Sequence, residues 1–148
     1  MGNSFLTVFK WLFLIVIAIV FSLFYCHEMN LVTLDLGRHL QNGVSFWDFG
    51  HIIKTNFYSY TQPQLNVVNH HWGFGVLVYL VYWVGEYSAI TVLAAFCAAM
   101  SMMIFLRVVW NRSSFILAVS SGVGILPILI QRTDFRPEHL SVLFLSIF

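Results

Sequence analysis

Residues 88–106 are nineteen consecutive positions without a charged side chain. A helix rises about 1.5 Å per residue, so this run nearly crosses the roughly 30 Å hydrocarbon core of a bilayer. Two other runs share the character. Residues 11–26 carry no charge, and residues 5–9 extend them past Lys10, whose long side chain can snorkel to an interface. Residues 113–131 are also uncharged. Gly122, Gly124 and Pro127 interrupt them, which a membrane helix tolerates when its neighbours cover the freed backbone groups. Residues 137–148 begin a fourth apolar run of about half the length a span needs. Charged residues make up only 9% of the chain, against about a quarter in soluble domains. The runs predict an all-α membrane protein, a helical bundle with spans at 5–26, 88–106, 113–131 and 137–148. The last span is cut short, so the chain reads as the amino-terminal part of something longer, a piece expected to be inactive by itself. No small-residue cleavage site follows the first run, which is therefore a retained span and not a leader.

Residues 72–85 are apolar but short. Trp72, Tyr79, Tyr82 and Trp83 lie among them and Tyr87 just beyond, an enrichment that suits a membrane interface. We read them as an interfacial helix, with a short true span as the alternative. Charge decides between the two. If 72–85 does not cross, Arg107 and Arg112 join Lys10 on the cytoplasmic side, as the positive-inside rule favours. The amino terminus is then cytoplasmic. All six acids and all six histidines, His27, His39, His51, His70, His71 and His139 among them, fall on the outer side of a cytoplasmic (inner) membrane. Cys26 and Cys97 sit in apolar runs and read as small hydrophobic residues. A net charge of +1 gives no basic field for nucleic acid.

The chemistry concentrates in two outer loops. The first, residues 27–87, is long enough to need structure or a task of its own. Thr33 can cap a short interfacial helix over about 34–42, and Asn42-Gly43 is a helix stop. Within it Asp35 and His39 are four apart and share a face, with Arg38 beside them. A carboxylate, an imidazole and a guanidinium together can bind phosphate, activate a hydroxyl or hold a metal. A solvated Asp35–Arg38 pair is the plainer reading. His70 and His71 are adjacent and point to different faces, a poor metal pair, though one could join a site built on Asp35. The second loop holds Arg132, Asp134, Arg136, Glu138 and His139 within nine residues, a density a bare connection does not need. Pro137 suits the first turn of the helix that follows.

In this order the pieces resemble the amino-terminal region of the GT-C-fold membrane glycosyltransferases, which use polyprenyl-phosphate-linked sugars. The resemblance rests on Asp35-Leu36-Gly37-Arg38-His39-Leu40 with Asn42-Gly43 after a first span. Tyr58-Ser59-Tyr60-Thr61 follows, then Asn69-His70-His71-Trp72 leading an interfacial helix, and Arg136-Pro137-Glu138 opening a later span. It is nearest to bacterial members of that fold related to the groups that modify the lipopolysaccharide core or mannosylate proteins. The resemblance implies that Asp35 is the catalytic acid of the first loop, with His39 beside it, and that Asp134 or Glu138 supplies a second acid or a metal ligand. Arg38, Arg132 and Arg136 would hold the donor phosphate, with His70 and His71 as further site residues. A divalent metal is the one cofactor it allows. The partners it implies are membrane lipid, the polyprenyl-phosphate sugar and an acceptor glycan, lipid or protein. Many members carry two acids close together in the first loop, whereas Gly37 stands two positions after Asp35 here. The rival reading is a non-catalytic polytopic protein, a transporter piece or envelope assembly factor, whose outer loop binds a partner.

Overall fold

The computed structural model describes residues 2–26, 35–130 and 134–147. Among them are five helices and no strand: α1 (Gly2–Leu23), α2 (Leu36–Phe49), α3 (Trp72–Arg112), α4 (Phe115–Ile130) and α5 (Pro137–Ile147). The chain divides into two compact units, residues 1–28 with 91–148, and residues 29–90.

In the first unit α1 lies against α4. The buried residues of α1 are Leu14, Ile17, Ala18 and Phe21, and α3 repeats the spacing with Ala94, Cys97, Ala98, Met102 and Leu106. Steps of three and four place each set on one helical stripe. A Cβ on Gly122 of α4 would come 2.6 Å from Leu106 Cδ2 and 3.8 Å from Ile17 Cγ2, so three helices meet there. Ring contacts fix the directions. Trp11, near the middle of α1, meets Trp110, late in α3, with centroids 5.2 Å apart. Phe13 meets Phe115, the first residue of α4, at 6.0 Å. The α1 and α4 helices therefore run parallel, with the second part of α3 antiparallel to both. Ser114 caps α4, its hydroxyl accepting from the Leu117 N–H at 3.2 Å. At the far end of α1, Tyr25 meets His139 at the start of α5. Cys97 is buried, as its apolar setting predicts, whereas Cys26 is exposed.

Both α1 and α3 are long and apolar enough to cross a membrane. Their outward surface is apolar too. Phe5, Val8, Phe9, Leu12 and Val16 of α1 are each more than half exposed. Only 22% of the apolar window of α1 and 33% of that of α3 is buried, whereas the core helix of a water-soluble domain buries most of its apolar face.

The α3 helix is two helical segments joined at Gly85 and Glu86. Gly85 is extended, and the left-handed position falls on Glu86, with φ 53° and ψ −145°. That region is close to one that only glycine occupies freely, and holding another residue there costs about 1–3 kcal/mol. Glycine at this position relieves the strain but adds about 0.5–1 kcal/mol of chain entropy to lose on folding. Glu86→Gly is therefore expected to stabilise the protein by about 1 kcal/mol, read as a higher midpoint of thermal unfolding in detergent. A lower midpoint contradicts the strain argument.

In the second unit α2 crosses the first turns of α3. The helix does not stop at Asn42-Gly43, as local chemistry predicts. It runs on to Phe49 and ends at Gly50, whose φ of 67° is the left-handed C-terminal conformation. The Gly50 N–H donates to the Phe46 carbonyl at 3.1 Å and the His51 N–H to the Ser45 carbonyl at 3.4 Å. Tertiary contact explains the continuation. A Cβ on Gly43 would fall on the Tyr79 Cβ and lie 2.5 Å from the Gly75 carbonyl oxygen. A Cβ on Gly75 would lie 2.8 Å from the His39 carbonyl oxygen. The two glycines let the backbones touch, so Gly43 serves the crossing and not a helix end. The connection from α2 to α3 is pinned by a single antiparallel bridge between Thr55 and Asn66.

Candidate functional site

Apart from Leu36 and Gly43, the buried face of α2 is polar. His39 is 3% exposed and Asn42 and Ser45 are also buried, while Trp47 and Phe49 are exposed at 60% and 68%. The usual amphipathic pattern is inverted. Buried polar groups need partners, and the loop brings one. The Tyr58 hydroxyl donates to Asn42 Oδ1 at 2.7 Å and lies 3.1 Å from the Arg38 carbonyl. Burial pushes the Tyr58 phenol above its ordinary value of 10.0, and the Arg38 charge opposes this more weakly. The phenol thus stays protonated, and able to donate, throughout the neutral range. His39 presents its ring to the edge of Phe74, with centroids 4.8 Å apart and planes at 85°. Its ring lies 6.1 Å from that of His71, which lies 6.4 Å from that of His70.

These residues surround one cavity of about 180 Å³. Arg38, His39 and Asn42 line it from α2, Tyr58, Asn69 and His70 from the connection, and His71 from just before α3. No carboxylate is in the lining. A wider open groove shares Ile53, Val67, Val68, Asn69 and His70 with the cavity and continues along Ile52, Lys54 and Trp72. Its walls are mainly apolar, with one ammonium.

Asp35 occupies the N-cap position of α2 but makes no side-chain capping bond. Thr33, the predicted cap, lies outside the described residues. The Asp35 side chain is 67% exposed and pairs with Arg38 at 3.1 Å. The i, i+4 spacing to His39 does place the two on neighbouring turns, yet one faces solvent and the other is buried. Asp35 therefore reaches the cavity through Arg38. Of the sequence-derived candidates, the cavity gathers Arg38, His39, His70 and His71.

The candidates of the second loop belong to the other unit. Arg136 pairs with Asp134 at 3.7 Å and Glu138 is exposed. Arg132 lies outside the described residues. Beside them His139 Nε2 is 3.2 Å from the Tyr25 hydroxyl, and the Arg136 N–H donates to His139 Nδ1 at 3.2 Å. Among the described residues no three histidine, cysteine, aspartate or glutamate side chains are placed to hold a metal ion, and Asp134 and Glu138 form no such set.

Sequence reasoning missed Asn42, Tyr58 and Asn69 as lining residues. Asn42 had a signal: it stands three from His39 and four from Arg38, on the same helical stripe. Tyr58 and Asn69 stand in segments that carry the resemblance, but nothing in their spacing assigned them a place in the site. Comparison with family models, curated proteins and solved structures finds no match to this chain.

Proposed function

We propose that the chain carries the donor site of a GT-C-type membrane glycosyltransferase, which moves a sugar from a polyprenyl-phosphate carrier to an acceptor on the outer face of the cytoplasmic membrane. The observation that carries this reading is a cationic, carboxylate-free cavity continuous with an apolar groove. That combination suits an amphiphile with an anionic head. In an inverting transfer the acceptor oxygen attacks the anomeric carbon, the bond from that carbon to the carrier phosphate breaks, and the phosphate leaves with the electron pair. Asp35 accepts the acceptor hydroxyl proton. The Arg38 guanidinium holds the phosphate oxygens as negative charge grows on them, and its ion pair keeps the Asp35 carboxylate close by. The neutral donors of Asn42 and Asn69 orient the head group. The exposed apolar surface of α1 and α3 supports the membrane setting such a lipid carrier requires.

Arg38→Gln tests the assignment. Removing one charge-assisted contact of about 1.5–3 kcal/mol should weaken polyprenyl-phosphate binding roughly 10- to 100-fold. Binding is measured by equilibrium retention of the radiolabelled lipid on the protein. Unchanged retention would remove the donor site from this cavity.

A further inference from the structure

We propose that Lys10, Arg107 and Arg112 form a binding site for an anionic phospholipid headgroup, where α3 ends and α4 begins beside the middle of α1, away from Tyr25 and His139. Three chain segments build it. Arg107 lies over the Trp11 ring, with its guanidinium carbon 5.4 Å from the centroid, and Lys10 lies over Phe115 at 5.5 Å. Trp110 sits between, 5.2 Å from Trp11 and 5.7 Å from Phe115. Arg112 is two residues past Trp110, in the last turn of α3.

Among the described residues no carboxylate pairs with these charges: the ion pairs there are Arg38–Asp35 and Arg136–Asp134, and neither involves these three cations. The acids of this unit among the described residues, Asp134 and Glu138, lie just before α5 and in its first turn. His139, one residue on, touches Tyr25, and Tyr25 is fourteen residues from Trp11, about 20 Å along a helix. Stacking matters for what the cations can bind. A guanidinium over a ring spends its face on the contact and keeps its in-plane N–H donors for an oxyanion. The positive dipole end of α4 opens at the same place. The surround selects the source of the phosphate. Phe9, Leu12, Val108 and Ile116 flank the cluster and are 50–76% exposed. A free phosphate gains nothing from them, whereas acyl chains cover them.

The inference rests on the membrane setting proposed above and not on sugar transfer. It is tested on the whole chain in bilayers of phosphatidylcholine with and without phosphatidylglycerol, with insertion scored separately by resistance to carbonate extraction. Phosphatidylglycerol should raise the thermal midpoint, and native mass spectrometry should find it retained. The triple variant Lys10→Gln, Arg107→Gln, Arg112→Gln should lose at least about tenfold in apparent affinity. Arg112→Gln alone, which disturbs no ring contact, should lose part of it. The charge-keeping variant Arg107→Lys should retain phosphatidylglycerol. Equal stabilisation by phosphatidylcholine, equal stabilisation by inorganic phosphate, or full retention by the triple and Arg112 variants would overturn the site. An inserted chain that fails these tests leaves the transferase reading standing, whereas a chain that does not insert overturns both.

Discussion

Asp35→Asn is expected to lower sugar transfer by at least about 100-fold while leaving donor lipid bound. A positioned general base contributes about 10²- to 10⁴-fold, and an amide of the same shape cannot take the proton. The substitution is otherwise mild. The Asp35 side chain makes no capping bond to α2, so its loss leaves the helix start intact. It does remove the ion pair with Arg38, but both side chains are about half exposed or more, and such surface pairs are worth about 0.2–1 kcal/mol. The fold and the cavity therefore survive, and the effect should fall on kcat and spare KM. A variant with wild-type kcat would leave Asp35 as the solvated ion pair that the plainer reading describes.

The second large effect is on stability, at the crossing that shapes the cavity. Gly43→Ala is expected to destabilise the protein by about 2 kcal/mol. The new methyl would fall on the Tyr79 Cβ and the Gly75 carbonyl, which belong to a helix and cannot swing aside. Overpacking of this kind costs about 1–3 kcal/mol or more, offset by up to about 1 kcal/mol of helix propensity. Gly37 is the control in the same helix. Nothing lies within 4 Å of a Cβ there, so Gly37→Ala should stabilise by up to about 1 kcal/mol. The opposite signs are read from unfolding midpoints in detergent. Because His39 and Asn42 flank Gly43 on α2, separating the helices should also weaken donor retention. Equal effects at the two glycines would show that the crossing is looser than its geometry implies.

Much of the helical layout was legible because long uncharged apolar runs announce themselves, although among the described residues only α1 and α3, and not α4, are long and apolar enough to cross a membrane. The runs at 11–26 and 113–131 lie largely within α1 and α4, and Pro137 does open α5. The boundary expected between 85 and 88 coincides with the break in α3, where Gly85 and Glu86 interrupt an apolar run. What local chemistry could not convey was long-range. Asn42-Gly43 has the composition of a helix stop, and nothing nearby reveals that Gly43 is reserved for Gly75, 32 positions on. The left-handed residue at the break is Glu86 and not its glycine neighbour, against the usual preference. The spacing of Asp35 and His39 was legible, but their opposite burial depends on Phe74 and on the connection that carries Tyr58. The contact of Tyr25 with His139 spans 114 positions and has no local signal at all.

The most direct measurement follows the carrier itself. The wild-type full-length protein, with the further spans that the resemblance implies, is given a polyprenyl-phosphate-linked sugar and an acceptor extract in bilayers, and free polyprenyl phosphate is quantified against sugar transferred. The account predicts equimolar release and transfer by wild type, with both lost in Asp35→Asn and strongly reduced in Arg38→Gln. Intact donor with wild type, or the same release from Asp35→Asn, would contradict it.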